Sequence, residues 1–279
     1  MTPLAVVAAR RIAWVEGPDA EALLHGLLTA DVQAIPVGGG APSLILDAHG
    51  HVVARMHVHR DAPDAFTLLL DAAPAPDGVA VITAHHVSED AEVIGPEPVD
   101  VLVVTGEAPQ GDIVAAGSIP GTTEVITDDP AALAASLGLA LSPPATLEPL
   151  RIAAGIPAIG IDTGAKTLVQ EAGLDDAVSY DKGCYLGQET VARLHYRGHA
   201  NRRLCRIALD GPLATGTELT CGDVAAGTVT SVAEVPEEGW MGLAMVRREV
   251  ADGAEVSAGD RVVGHVIGAA TSGATFGTS

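Results

Sequence analysis

The chain has 279 residues, 48% of them hydrophobic and 3% aromatic, with a formal net charge of −21. That length suits two or three domains with cores of Val, Leu, Ile and Ala, and the acidity excludes broad binding to nucleic acid or anionic membrane. No uncharged apolar run approaches the ~18 residues of a membrane span, and no signal-type apolar segment follows Arg10 and Arg11.

In chain order, Gly17-Pro18 followed by Asp19 and Glu21 predicts a helix start, with Leu23, Leu24, Leu27 and Leu28 on one face and an end near Asp31. Pro36 to Gly40 is a loop before a strand at Leu44 to Leu46. Asp47-Ala48-His49-Gly50 is a turn. Val52 to His59 alternates with Val52, Ala54, Met56 and Val58 on one side, and Phe66 to Leu70 closes an antiparallel meander. Ala72 to Pro76 is a loop, and Val79 to Val87 is compatible with strand or helix. Val99 to Val104 is a buried strand. Asp129-Pro130 caps a helix that ends at Gly138. Ser142-Pro143-Pro144 is a linker. A second helix follows from Thr146, with Leu147, Leu150 and Ala154 inward and Gly155 as its stop. Glu189 to Tyr196, after Gly187, is a further helix. From Leu204 onward, short alternating segments between closely spaced turns predict a small antiparallel barrel or sandwich.

Cys184, Cys205 and Cys221 are odd in number and lack CxxC spacing, so they read as reduced thiols in a cytoplasmic protein. Cys184 lies between Gly183 and Gly187, two residues after Lys182 and just before a helix start. Positive charge there favours a thiolate nucleophile or soft ligand; a buried structural cysteine in a tight turn fits the spacing equally well. Six of the 15 Lys and Arg residues lie between Lys182 and Arg206, with Glu189 as the window's one acid, so the window is +5 and the remainder −26. Arg193 and Arg197, four apart, repel unless an anion sits between them, and a planar guanidinium suits carboxylate or phosphate. Glu189 and Arg193 also fit a plain helix-surface ion pair. His57 and His59 share a strand face; without an identifiable carboxylate or cysteine partner they are expected on a solvated face, and no metal-ligating set is expected. No GxSxG, Walker, HExxH or GxGxxG pattern occurs.

The stretch Lys182-Gly183-Cys184-Tyr185-Leu186-Gly187-Gln188-Glu189 resembles the K-G-C-[YF]-x-G-Q-[ED] signature of YgfZ-type folate-binding proteins. These are relatives of the T-protein (aminomethyltransferase) of the glycine cleavage system. Leu150 to Pro157 resembles the family's L-R-[IL]-E-A-G-[IL]-P segment, and Thr167 to Leu174 its T-[LI]-P-x-E-A-G-L segment. Val191 to His199 and the N-terminal stretch Gly17 to Val32 continue the likeness.

The resemblance implies an α+β, T-protein-like multi-domain body around a central folate cavity, ending in a C-terminal antiparallel β-barrel. The corresponding divisions are 1–141 for an N-terminal α+β folate-binding region, 142–203 for a segment completing that body and carrying the signature, and 204–279 for the barrel. It also implies binding of tetrahydrofolate or a derivative. The implied role is accessory, in iron–sulfur cluster assembly or repair, with iron–sulfur proteins such as tRNA-modifying enzymes as clients. An aminomethyltransferase-like, tetrahydrofolate-dependent one-carbon transferase is the alternative. By the same resemblance Cys184 is the functional thiol, with Lys182 beside it. Glu171, Gly183, Tyr185, Gly187, Gln188, Glu189, Arg193, Arg197 and Arg203 are the implied folate contacts. Two positions depart from the pattern: Ala153 replaces the glutamate of L-R-x-E, and Arg55 falls where the T-protein has an acid. A guanidinium cannot act as an acceptor, so both departures bear on aminomethyl transfer.

Overall fold

The computed structural model describes residues 3–72, 74–105 and 113–270, with the backbone alone at 113–116. The chain divides into two compact units, Met1–Pro144 with Asp176–Thr190, and Ala145–Asp175 with Val191–Gly273. This differs from the expected division. The segment 142–203 is no single body, because 176–190 packs with the N-terminal unit while most of its other residues pack with the barrel. The end of the expected barrel module, 271–279, lies outside the described residues, as does Ala73 of the Ala72 to Pro76 loop.

The first unit contains β1 (Ala5–Glu16), α1 (Ala20–Leu27), β2 (Gly40–Leu46), β3 (Val52–Ala62), β4 (Ala65–Asp71), α2 (Gly78–His85), β5 (Glu92–Thr105), β6 (Ile113–Ala116), β7 (Thr122–Ile126), α3 (Pro130–Ser136) and β8 (Leu141–Ser142). Its sheet runs β2-β3-β4-β1-β5-β7-β6, and β8 adds to β1 in parallel. The expected meander is β2-β3-β4, and Val52, Ala54, Met56 and Val58 do face the core. Val79 and Ile82 are buried in a helix, α2, whose N-cap Asp77 accepts from the amides of Val79 and Ala80. Asp129 caps α3 through the Ala132 amide at 2.9 Å, as expected.

Absent from the sequence reading are β6, β7, β8 and, with the largest consequence, β1, at the centre of the sheet between β4 and β5. The register of β1 with β5 shifts between Ile12 and Trp14, with the extra residue on β5. Neighbouring residues are buried on both faces of β1, Ala5 with Val6 and Ile12 with Ala13, so no period-2 pattern marks it. Two arginines at its middle also disguise it. Arg10 pairs with Glu124 at 2.7 Å, and Arg11 donates to the carbonyls of Asp71, Ala75 and Pro76.

The solvated-face expectation for His57 and His59 requires correction. His59 binds Asp61 at 2.9 Å, and His57 is half-buried opposite the buried Leu69. Burial, with a smaller contribution from His59, pushes His57 down to about 4, and Glu124 opposes the shift. The physical reason is Gly40 on the neighbouring β2, whose lack of a side chain lets the His57 ring lie against its backbone.

The second unit contains α4 (Leu147–Ala154), α5 (Val169–Ala172), most of α6 (Gln188–Arg197), and β9 (Arg202–Leu209), β10 (Glu218–Cys221), β11 (Val224–Val235), β12 (Gly239–Arg247), β13 (Glu255–Ala258) and β14 (Arg261–Ala269). The strands close into a barrel in the order β10-β11-β12-β9-β14-β13. Its interior is apolar, with Ile207, Val229, Val246, Val256 and Val266 fully buried.

Gly155 ends α4 in the left-handed region at φ 75°, as expected. The inward face does not match the expectation: Arg151 and Ile152 are buried, while Leu147, Leu150 and Ala154 are half-buried. Ile152 packs with Leu204, Met241 and Leu243, a burial worth ~2 kcal/mol. Arg151 forks onto Glu148, reaches Asp162 at 2.7 Å, and donates to Ser231 Oγ and the Ile156 carbonyl. Asp162 in turn accepts from Thr230, Ser231 and the Ala158 amide. Polar chemistry, more than apolar periodicity, thus orients α4.

Candidate functional site

The signature segment is bound to the first unit before the cysteine is reached. Thr29 Oγ1 donates to the Ala177 carbonyl at 2.6 Å, and the Ser179 amide donates to the Thr29 carbonyl at 2.9 Å. The helix α1 stops because Leu28 turns extended and bridges to Ile45, leaving carbonyls at its end without helical partners. Lys182 satisfies them: its ammonium donates to the carbonyls of His25, Leu28 and Ala30 at 2.6, 2.7 and 2.8 Å. All three of its protons are thereby used, and the side chain is 8% exposed. Burial pushes Lys182 down to about 8 while Asp31 opposes the shift. The three carbonyl dipoles favour the charged form, so the ammonium is retained at neutral pH.

Tyr185 is also buried, with its ring centroid 5.3 Å from the Lys182 ammonium, and burial pushes its phenol up to about 12. Leu186 packs against the core beneath α1. Gly187 has φ +79°, and a Cβ there would lie 2.5 Å from the Asp47 carbonyl and 3.0 Å from Gly50 Cα. Only glycine fits this conformation and this approach. The Gln188 amide then donates to the Tyr185 carbonyl as α6 begins. Between these anchors Gly183 and Cys184 are exposed, and a Cβ at Gly183 would face His25 Nε2 at 3.7 Å. Of the three cysteines, Cys205 is buried and pushed up to about 11 by burial, Cys221 is half-buried, and Cys184 is exposed. Glu189 is exposed and Gln188 half-buried.

The +5 window does not survive folding as one patch. Lys182 belongs to the first unit and is bound to carbonyls. In the second unit, Arg202 forks onto Glu171 at 2.9 and 3.1 Å, and Glu171 also accepts from the Leu168 amide at the start of α5. Arg203 pairs with Asp252 at 2.6 Å and donates to the Val250 carbonyl. Arg206 donates to the Ala153 carbonyl. Arg193 and Arg197 remain exposed on α6. An acidic chain has carboxylates and carbonyls enough to engage cations that are merely adjacent in sequence.

The second unit also holds an open cavity of about 840 Å³ between the 160–167 loop and the barrel strands. Lys166, Arg202 and Arg247 line it, with Glu218 on the same wall. Lys166 and Arg247 were missed in the sequence because they lie outside the basic window and in no recognised motif. Also missed were Asp47, His49 and His51, whose ligand atoms all lie within 4.8 Å of one another. Their D-x-H-x-H spacing was the available signal.

Both departures from the family pattern are accommodated structurally. Ala153 packs against the cluster of Ile152, Leu204 and Leu243. Arg55 is held by Asp71 on the neighbouring strand, with contacts of 3.1 and 3.2 Å. A carboxylate is therefore present beside position 55, but it is committed to the guanidinium.

The family described as CAF17, C-terminal beta-barrel domain, matches residues 201–271. A tRNA-modifying protein YgfZ from Pectobacterium atrosepticum is 30% identical over 71% of this chain and 67% of its own length. The chain belongs to the YgfZ family. Two further relatives of this YgfZ-family chain align over shorter stretches. A putative chloroplastic transferase of Arabidopsis thaliana is 36% identical over 43% of this chain, and the alignment spans 28% of that protein's length. The mitochondrial iron-sulfur cluster assembly factor IBA57 of Mus musculus is 39% identical over 28% of this chain and 22% of its own. In structure, the YgfZ-family chain resembles the glycine cleavage system aminomethyltransferase T from Bartonella henselae. The TM-score is 0.80 at 18% identity, covering 95% of this chain and 85% of the other. At that identity the likeness is one of fold.

Proposed function

We propose that the protein is a folate-binding accessory factor for iron–sulfur enzymes, including tRNA-modifying ones, with Cys184 as its functional thiol. The observation that carries this reading is the contrast within the signature: Lys182, Tyr185 and Gly187 lock the segment, and Cys184 is the exposed thiol between them. A thiolate can act on a client or share a ligand position only from such a place. One cysteine does not hold a cluster alone, since clusters take about four protein ligands; the thiol would act transiently with a partner. Relatives described as tRNA-modifying and as an iron-sulfur cluster assembly factor support the pathway.

Tetrahydrofolate is the proposed ligand, and the residues present fit one end of it. Arg193 and Arg197 are exposed cations able to take the carboxylates of the glutamate tail. The pterin end finds no carboxylate at Ala153. The same absence, with Asp71 bound to Arg55, favours binding over aminomethyl transfer.

Calorimetric titration with tetrahydrofolate tests the ligand: saturable binding is expected, weakened at least ~10-fold when Arg193 and Arg197 are both changed to Ala, since each removes a charge-assisted contact. Absence of saturation refutes the ligand. The thiol is tested separately by complementation of cells that lack the protein. Full rescue of iron–sulfur enzyme activity by Cys184→Ala refutes its role.

A further inference from the structure

We propose that Asp47, His49 and His51 form a binding site for a divalent first-row transition metal ion of the Fe(II), Co(II), Ni(II) or Zn(II) class. The site goes beyond the folate and thiol reading and requires neither. Its residues sit in the turn between β2 and β3, within the first unit. Two imidazoles and one carboxylate are a donor set suited to borderline cations, in contrast to the all-oxygen shells of calcium and magnesium.

The carboxylate is oriented in advance. Asp47 Oδ1 accepts from the amides of His49 and His51 at 2.8 and 2.9 Å, which leaves Oδ2 to face the imidazoles. His51 Nδ1 lies 2.8 Å from Oδ2 and His49 Nδ1 lies 4.0 Å from it. Ligands bound in cis positions at ~2.1 Å from a metal are ~3 Å apart, and tetrahedral ones slightly more. The Asp47–His51 pair already meets that spacing. The His49 side chain, 81% exposed and stacked on the His51 ring with centroids 5.9 Å apart, is free on its solvent side to rotate toward that spacing. Binding would replace the proton now held between His51 and Asp47 by the metal. Three protein ligands leave further positions to water, the arrangement of an open site.

The turn that carries these groups is rigid. The Asp47 amide donates to the His51 carbonyl and the Gly50 amide to the Asp47 carbonyl, both at 3.0 Å. Gly50 has φ +83°, and a Cβ there would lie 2.9 Å from Thr190 and 3.1 Å from the Gly187 carbonyl. The turn is thus seated on the end of the segment that presents Cys184, and the backbone amides of His49 and His51 bonded to Oδ1 keep Oδ2 aimed.

The test is a Co(II) titration of the tag-free full chain, followed by visible d–d absorption, with bound metal counted after dialysis. One equivalent binding at micromolar concentration is expected. His49→Ala should weaken it at least tenfold, and the His49→Ala/His51→Ala double variant should abolish it. Because His49 is exposed, the single variant keeps the fold, and an unchanged thermal melt verifies this. Wild-type protein that binds no Co(II), or His49→Ala protein that binds with unchanged affinity, overturns the proposal. Neither result touches the folate titration.

Discussion

Lys182 in the first unit and Arg151 in the second are both buried cations from family-like segments, and they are neutralised by opposite means. Lys182 spends its three protons on backbone carbonyls at the end of α1. Arg151 is held by Glu148, Asp162, Ser231 and a carbonyl, so its pairing rests on side chains, of which Asp162 and Ser231 are themselves buried. The difference lies in what each leaves at the surface. The lysine clamp fixes a loop and presents the neighbouring thiol. The arginine network closes on itself and exposes nothing reactive. A charged residue in a matching motif is therefore no guide to chemistry until its partners are known.

The comparison is sharpened by removing each cation. Arg151→Met should cost the second unit ~3–5 kcal/mol in urea unfolding, because Asp162 is left as a buried charge without its main partner. Lys182→Met should cost the first unit ~2–3 kcal/mol, since three carbonyls lose their donor but no opposite charge is stranded. Equal losses would break the distinction between carbonyl and carboxylate pairing.

His57 tests burial in the first unit from another direction. Its folded value of about 4 lies below the ordinary 6.5. The unfolded chain then binds the proton more readily, so this stabilisation is complete above pH 6.5 and is lost as pH falls toward 4. For a half-buried ring the loss is ~1–3 kcal/mol. His57→Gln should flatten that part of the stability–pH curve; an unchanged slope would place its origin elsewhere.

The smallest effect on stability is expected at Cys184. Cys184→Ala should shift unfolding by less than ~0.5 kcal/mol, as for other exposed sites. In the native protein a maleimide should label Cys184 first and Cys205 only on unfolding. Labelling of Cys205 at the rate of Cys184 would contradict the burial that separates them.

Much of the local structure was legible in the sequence. The alternation from Val52 to Val58, the Asp129-Pro130 cap, the stop at Gly155 and the spaced turns after Leu204 each express a short-range rule, and each reappears in the fold. The central strand β1 was not legible, because burial on both faces and two arginines erase its period and its identity as a strand comes from β4 and β5. The candidate site divides in the same way. Gly187 and Cys184 stand out in the signature alone, whereas Lys166, Arg247 and the Asp47–His49–His51 set gain meaning only from their neighbours in space.

The sequence by itself determined the family, the types of the elements with a clear local pattern (not β1 or α2) and the position of the thiol, since these rest on residue order and local periodicity. Tertiary structure alone decided which cations are committed. Lys182 meets carbonyls 152 to 157 residues away, Arg203 an aspartate 49 away, and Arg202 a glutamate 31 away. Electrostatic partners are chosen by distances of a few ångströms in space. Charge density along a chain says nothing of those distances, and for this reason the basic window dissolved while the exposed Cys184 remained.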